Sequence, residues 1–154
     1  MNPEFFMKRA IELSRSAVRN GNEPFGAVLV KNNEIVYENE NQIYTRGDPT
    51  FHAEFGLIRR FVEETGITDL SEYTLYSSCE PCFMCCGAMV WTKLGGLVYG
   101  ASDIDLCGVL GCTGAECAKT VFDASGARIA VTAGVLREEA LGVLREYFAE
   151  HKKG

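Results

Sequence analysis

Two short motifs carry the residue types that bind a metal and move a proton: His52-Ala53-Glu54 and Pro81-Cys82-Phe83-Met84-Cys85. Cys82 and Cys85 are three positions apart, so on a helix their side chains share one face. Glu80-Pro81 is expected to open that helix, which places both cysteines in its first turn, where the positive end of the helix dipole favours thiolates. His52 falls in the first turn of another predicted helix, opened by Asp48-Pro49. If the two helix starts meet at one sheet edge, they offer one imidazole and two thiolates. Three protein ligands with a fourth position open to a water or hydroxide is the pattern of catalytic rather than structural zinc. One Zn2+ per chain is therefore the expected cofactor. Glu54 decides what the metal is for. A zinc-bound water loses its proton near neutral pH, and a carboxylate beside it can take that proton and pass it to a ring nitrogen and then to a leaving amine.

Each motif alone has an ordinary interpretation. A histidine near a helix start can be a cap or a solvated side chain, and a lone C-x-x-C can be a thioredoxin-like redox pair. The bulky, apolar Phe83 and Met84 between the cysteines weaken the redox alternative. Taken together, H-x-E and P-C-x-x-C at two helix starts match the zinc-deaminase signature. Only two histidines occur, and His151 lies in a polar tail, so imidazole chemistry falls to His52. Of the seven cysteines, Cys79 and Cys86 flank the ligand frame without belonging to it. Cys107, Cys112 and Cys117 are evenly spaced in a Gly-rich stretch. No histidine accompanies them, and the spacing suits neither a helix face nor a zinc knuckle, so they are expected to be buried or half-buried thiols rather than a second metal site.

The elements that must position these groups follow from hydrophobic period and turn chemistry. A helix is predicted over 3–20, two strands over 25–30 and 34–40 joined by Lys31-Asn32-Asn33, and a helix from Asp48 to before Gly66. A strand over 73–77, a helix over 80–92 and a strand over 96–100 come next. Residues 101–117 are expected to be a loop, followed by a short helix over 117–123, a strand over 128–132 and a last helix over 137–151. Strands alternating with helices predict an α/β fold, a three-layer α/β/α sandwich with a mixed central sheet of about five strands. At 154 residues, 47% hydrophobic and 23% charged, residues 1–154 are expected to form one domain. Fifteen Lys+Arg against 21 Asp+Glu give a net charge of −6, which argues against a protein that tracks a phosphate backbone. No apolar run reaches the roughly 18–20 residues that cross a bilayer. The opening Met1-Asn2-Pro3-Glu4 lacks the layout of a signal peptide, so the expected compartment is the cytoplasm.

Over about residues 5–148 the chain resembles the cytidine and deoxycytidylate deaminase superfamily, in the branch of bacterial guanine deaminases, fungal-type cytosine deaminases and tRNA adenosine deaminases. Pro24-Phe25-Gly26-Ala27-Val28 is similar to the strand entering the guanine deaminase pocket. Asp48-Pro49-Thr50-Phe51-His52-Ala53-Glu54 resembles the zinc and proton-shuttle segment, and Ser78-Cys79-Glu80-Pro81-Cys82-Phe83-Met84-Cys85 with Gly87-Ala88 the second zinc segment. The resemblance implies His52, Cys82 and Cys85 as metal ligands and Glu54 as the catalytic proton shuttle. It also implies that the Asn eleven positions before the zinc histidine, Asn41, hydrogen-bonds the base. By residue type alone, Asn41 fits a turn after the second strand equally well. The backbone N–H of Ala53 is implied as a donor to polar substrate atoms. Phe25 reads either as an apolar wall against the base or as core, and Asp103 either as a pocket-mouth selector or as a solvated loop residue. A homodimer or larger assembly is implied.

The activity expected is hydrolytic deamination of a free nucleobase or a closely related heterocycle of guanine, cytosine or isocytosine type, with release of ammonia. Residues 101–117 contain Asp103, Asp105 and Glu116 but no Lys or Arg, and the last helix carries Glu138, Glu139, Glu146 and Glu150. Nucleic acid is therefore not the expected partner. The alternatives are a tRNA adenosine-to-inosine deaminase and a non-catalytic, zinc-stabilised binding module.

Overall fold

In the computed structural model, which describes residues 2–151, β1 (Gly26–Lys31) and β2 (Glu34–Glu40) pair as an antiparallel hairpin. Met1 and the Lys152-Lys153-Gly154 part of the polar tail lie outside the described residues. Asn32 and Asn33 turn the hairpin at φ 52° and 60°. That is the two-residue turn whose twist matches the strands, and asparagine adopts positive φ more readily than most residues. β3 (Thr74–Cys79) pairs antiparallel with β1, β4 (Gly96–Ala101) runs parallel to β3, and β5 (Ala130–Thr132) runs parallel to β4. The sheet order is β2-β1-β3-β4-β5.

Both faces of the sheet are covered, which explains why β1 is an unbroken apolar run rather than an alternating one. Val28 and Val30 face a core with α1 (Pro3–Arg19) and α6 (Arg137–Glu150), where Phe6, Met7, Leu141 and Leu144 are buried. Ala27 and Leu29 face the opposite core with α2 (Ala53–Thr65), α3 (Phe83–Trp91) and α5 (Cys117–Ser125), built on Leu57, Phe61, Met89 and Phe122. The expected three-layer sandwich with a five-stranded mixed sheet is borne out. Gly26 lets β1 start tight against α1: a Cβ there would lie 2.3 Å from the Ala10 carbonyl oxygen. No helix among the described residues is long and apolar enough to cross a membrane.

Three expectations are corrected, each by specific hydrogen bonds. Asp48 does not cap α2. Its Oδ1 instead accepts from the Thr50 N–H at 2.9 Å and the Thr50 hydroxyl at 2.6 Å. This Asx-type turn, characteristic of a short side chain that reaches its own backbone, delays the helix to Ala53 and leaves His52 extended at its N-cap. Glu80-Pro81 likewise does not open α3. The Glu80 N–H donates to the Ala101 carbonyl at 2.7 Å, and Cys82 is the N-cap, extended at φ −70° and ψ 175°. Cys85 then sits at the third helical position, one turn beyond Cys82.

The third correction is α4 (Asp103–Leu110), which occupies much of the expected loop over 101–117. Ser102 and Asp105 form a reciprocal capping box, with the Asp105 N–H donating to Ser102 Oγ at 3.0 Å and the Ser102 N–H to Asp105 Oδ2 at 3.0 Å. Arg137 grips the same carboxylate at 2.8 and 2.6 Å, tying α4 to the start of α6. The Arg137 hydrogen bonds, ahead of the Ser102 cap, hold the Asp105 carboxyl down to about 2. A carboxyl lowered in the folded state stabilises above its unfolded value, about 3.9, and that contribution is lost as pH falls from about 4 toward about 2. Asp105→Asn should therefore cost about 1–2 kcal/mol near neutral pH, after allowing for the half-exposed arginine. Urea denaturation at pH 7 and at pH 2.5 checks this; the gap between variant and parent should shrink in acid.

Candidate active site

The two helix starts meet just past the C-terminal end of the central strand β3. His52 Nδ1 lies 3.6 Å from Cys82 Sγ and 3.7 Å from Cys85 Sγ, and the three ligand atoms all fall within 4.8 Å of one another. Tetrahedral zinc, with bonds of about 2.0–2.1 Å to nitrogen and 2.3 Å to sulfur, sets nitrogen and sulfur about 3.6 Å apart. The donor set therefore fits zinc by both ligand chemistry and spacing. No other such group of His, Cys, Asp and Glu gathers among the described residues.

Local electrostatics favour the ligating state. The Cys82 thiol is brought down to about 4, first by its hydrogen bond with the Cys85 thiol and then by that with His52. Cys85, on the other side of that shared proton, is pushed up by Cys82 and then by burial. The His52 imidazole is raised chiefly by its contact with Cys82. Coordination replaces these shared protons, because thiolates and neutral imidazole are the ligating forms.

Glu54 occupies the first turn of α2 and is buried. Burial first, and the neighbouring Cys82 second, lift its carboxyl to about 7, with the His52 charge opposing them. A carboxyl poised near neutrality can both accept and donate a proton at working pH, which is what a shuttle requires. Structural carboxylates in small domains are usually exposed or paired with a basic residue; this one sits beside the ligand set instead.

The remaining predicted residues fall at the end of the β1–β2 hairpin, at the start of α2 and at the start of α4. Asn41 is buried just beyond β2, and its N–H donates to the Phe25 carbonyl at 3.0 Å, so these two residues frame the end of the β1–β2 hairpin. Asn41 Oδ1 accepts from the Ile43 N–H at 3.2 Å and the Glu23 N–H at 3.4 Å. Its carbonyl end is thus committed, and its NH2 end is the one with donor capacity to offer. Phe25 packs between the two cores. Ala53 is fully buried at the start of α2, where helix N–H groups have no intrahelical acceptor. Asp103 is built into its own segment, its Oδ2 accepting from the Ala115 N–H at 2.9 Å.

Several contributors were not singled out from the sequence. The Asn39 amide donates to the Ala53 carbonyl at 2.9 Å and locks the first turn of α2 in place. Gly56 permits this, since a Cβ there would lie 2.8 Å from Asn39 Nδ2. Glu23, buried beside the site, accepts from the Tyr44 hydroxyl at 3.2 Å. Glu80, read from the sequence as opening α3, instead caps two other helices: Oε1 accepts from the Asp103 N–H at 3.0 Å and Oε2 from the Ala118 N–H at 3.1 Å. The available sequence signal was polar residues (Glu38-Asn39-Glu40-Asn41) crowding the end of a strand that covers a core. Of the three cysteines expected to be buried or half-buried, Cys107 and Cys117 are buried, but Cys112 is exposed, because the chain leaves α4 through the left-handed Gly111 just before it; Cys79 and Cys86 are also buried.

Residues 1–101, which carry every one of these ligands, match the family model for the cytidine and deoxycytidylate deaminase zinc-binding region. The chain is 43% identical over 106 residues to a guanine deaminase of Bacillus subtilis, covering 68% of each chain. It is 35% identical over 150 residues to a tRNA-specific adenosine deaminase of the same organism, covering 97% of this chain and 91% of the relative. Its fold superposes on a solved guanine deaminase from Nitrosomonas europaea with a TM-score of 0.83 and 28% identity, covering 96% of this chain and 85% of that one. These matches and the geometry of its zinc ligands place the chain in the cytidine and deoxycytidylate deaminase family, as a zinc-dependent hydrolytic deaminase.

Proposed function

We propose that the chain deaminates a free nucleobase or a closely related heterocycle of guanine, cytosine or isocytosine type. The observation that carries this is the charge around the site. The segment over 101–117 holds Asp103, Asp105 and Glu116 without a Lys or Arg, in a chain of net charge −6. An extruded tRNA base needs cationic surface to hold its backbone. The three arginines near the His52 segment are internally engaged. Arg46 bonds Gln42 and lies over the Phe51 ring, Arg59 meets Glu63 and the Phe55 ring, and Arg60 bonds Asn39.

In this proposal His52, Cys82 and Cys85 hold one zinc, which when bound supplies a water acidified toward neutral pH as the nucleophile. Glu54 passes both protons of the attacking water in turn, the first to the ring nitrogen next to the reacting carbon and the second, from the added hydroxyl, to the exocyclic amine. The carbon–nitrogen bond breaks, ammonia leaves, and oxygen replaces it on the ring. The Asn41 amide donates to a ring acceptor or carbonyl, the Ala53 N–H meets a second polar atom, and Phe25 supplies an apolar wall. Asn41→Ala should lower kcat/KM by about 10–100-fold with zinc content unchanged, the cost of about 1.4–2.7 kcal/mol for a lost buried hydrogen bond.

A tRNA adenosine is the competing substrate, favoured by the 97% coverage of the match to the tRNA-specific enzyme. An ammonia-release screen over guanine, cytosine, isocytosine, adenine, their nucleosides and an anticodon stem-loop separates the two. The highest kcat/KM is expected on a free base. A stem-loop that outruns every base, with steep salt dependence, would overturn the proposal, and ammonia from none of them would indicate a zinc-stabilised binding module.

The free thiols and thiolate ligands suit a reducing compartment, the cytoplasm. The outer face of α3 bears Phe83, 53% exposed, and Trp91, 88% exposed, on a helix without a charged residue. Apolar surface of this kind beside a site is generally covered, and a second copy of the chain, in the homodimer the family resemblance implies, is the occupant proposed. Trp91→Glu should convert a dimer to a monomer in sedimentation velocity; a wild-type chain that sediments as a monomer would contradict this.

A further inference from the structure

Among the five cysteines that the zinc site does not use, Cys107 and Cys112 are brought together by the fold. α4 ends in a left-handed glycine, Gly111 at φ 79°, and two N–H groups converge on one carbonyl: Gly111 at 2.8 Å and Cys112 at 3.0 Å from the Cys107 oxygen. This closure turns the chain back so that the residue after the glycine sits over the residue in the last helical turn, a pair of positions whose side chains regularly touch. Here both positions are cysteine. The neighbouring Cys112 thiol, ahead of burial, holds the Cys107 thiol up to about 12.

The surroundings fix this turn from both ends. Asp103 Oδ2 lies 3.9 Å from Cys107 Sγ and also accepts from the Ala115 N–H, while Glu80 clamps the Asp103 and Ala118 N–H groups. Cys112 is exposed and Cys107 buried beneath it, so a reagent in solution meets Cys112 first. The other cysteines outside the zinc site, Cys79, Cys86 and Cys117, are buried. The Cys117 thiol lies 3.7 Å from the Ala115 carbonyl and beside the Asp103 carboxylate.

We propose that Cys107 and Cys112 form a reversible intramolecular disulfide when the chain meets a low-molecular-weight disulfide such as oxidised glutathione. The Cys112 thiolate attacks one sulfur of the small disulfide, forming a mixed disulfide and releasing one small thiolate. Cys107 loses its proton to solvent and attacks the Cys112 sulfur; the new S–S bond forms as the mixed disulfide breaks and the second small thiolate leaves. Two protein thiols are oxidised and one small disulfide is reduced to two thiols. The close backbone tie between residues 107 and 112 keeps the two side chains within the short reach that a disulfide needs. Zinc is not involved, because neither cysteine is one of its ligands.

The test treats the zinc-loaded chain with oxidised glutathione, quenches with acid, alkylates the free thiols and maps the tryptic peptide over 94–119, which holds Cys107, Cys112 and Cys117. In most chains the peptide should lose two hydrogen masses, with fragments bridging 107 and 112. Dithiothreitol should restore it, and zinc content should stay unchanged. Cys117→Ser should behave like wild type, Cys112→Ser should give no bridge, and Cys107→Ser should stop at a glutathione adduct on Cys112. An unmodified wild-type peptide, a bridge that includes Cys117, or a persistent glutathione adduct on wild-type Cys112 would each overturn the proposal.

Discussion

Glu54→Ala is expected to bind one zinc per chain and to release ammonia about 10²–10⁴-fold more slowly than wild type. The upper end of that range is expected, because one carboxylate serves both proton deliveries of the proposed reaction. The variant should fold, since Ala opens a helix well and no Lys or Arg among the described residues pairs with the carboxylate it replaces. Indeed, removing a buried, desolvated acid that sits near neutrality (its carboxyl is lifted to about 7) should leave stability equal or slightly higher. Glu54→Gln separates shape from chemistry: it keeps the volume and hydrogen bonding but cannot carry the proton, so it should be as slow as Ala. Near-normal turnover in either variant would remove Glu54 from the mechanism.

Cys82→Ala should lose zinc and, with it, part of the fold's stability. Cys82 is the N-cap of α3 and His52 the N-cap of α2, so the metal ties together two helix starts that share no side-chain cap. Binding to the native state alone stabilises by RT ln(1 + [L]/Kd), about 2.7 kcal/mol at free zinc a hundredfold above Kd. For a chain of this size that corresponds to roughly 5–10 °C in Tm. Calorimetry with and without added zinc measures it: wild type should gain Tm with zinc and Cys82→Ala should not. An equal zinc-dependent gain in both would show that the metal binds elsewhere.

The ligands were legible in the sequence because their chemistry demands rare residues at fixed offsets, and His52 stood nearly alone among imidazoles. The sheet and the long helices were legible because both faces of each packed element are periodic or continuously apolar. The helix starts were misplaced because Asp48 and Glu80 carry the residue types of caps but spend their oxygens elsewhere: Asp48 on Thr50, Glu80 on two distant N–H groups. α4 was missed because Gly108, Gly111 and scattered cysteines mask its period; the Ser102-x-x-Asp105 spacing was its only local signal. Asn39, Glu23 and the Asp103 carboxylate act through partners far along the chain or across a loop, where no local pattern shows the pairing.

Zinc-edge X-ray absorption on the purified chain tests the central claim most directly. Two sulfur ligands near 2.3 Å together with two lighter nitrogen or oxygen ligands near about 2.0–2.1 Å are expected, one of the light atoms being His52 and the other a solvent oxygen. A shell of four sulfurs, or one with no sulfur at all, would contradict a site formed by His52, Cys82 and Cys85 with one position left open for catalysis.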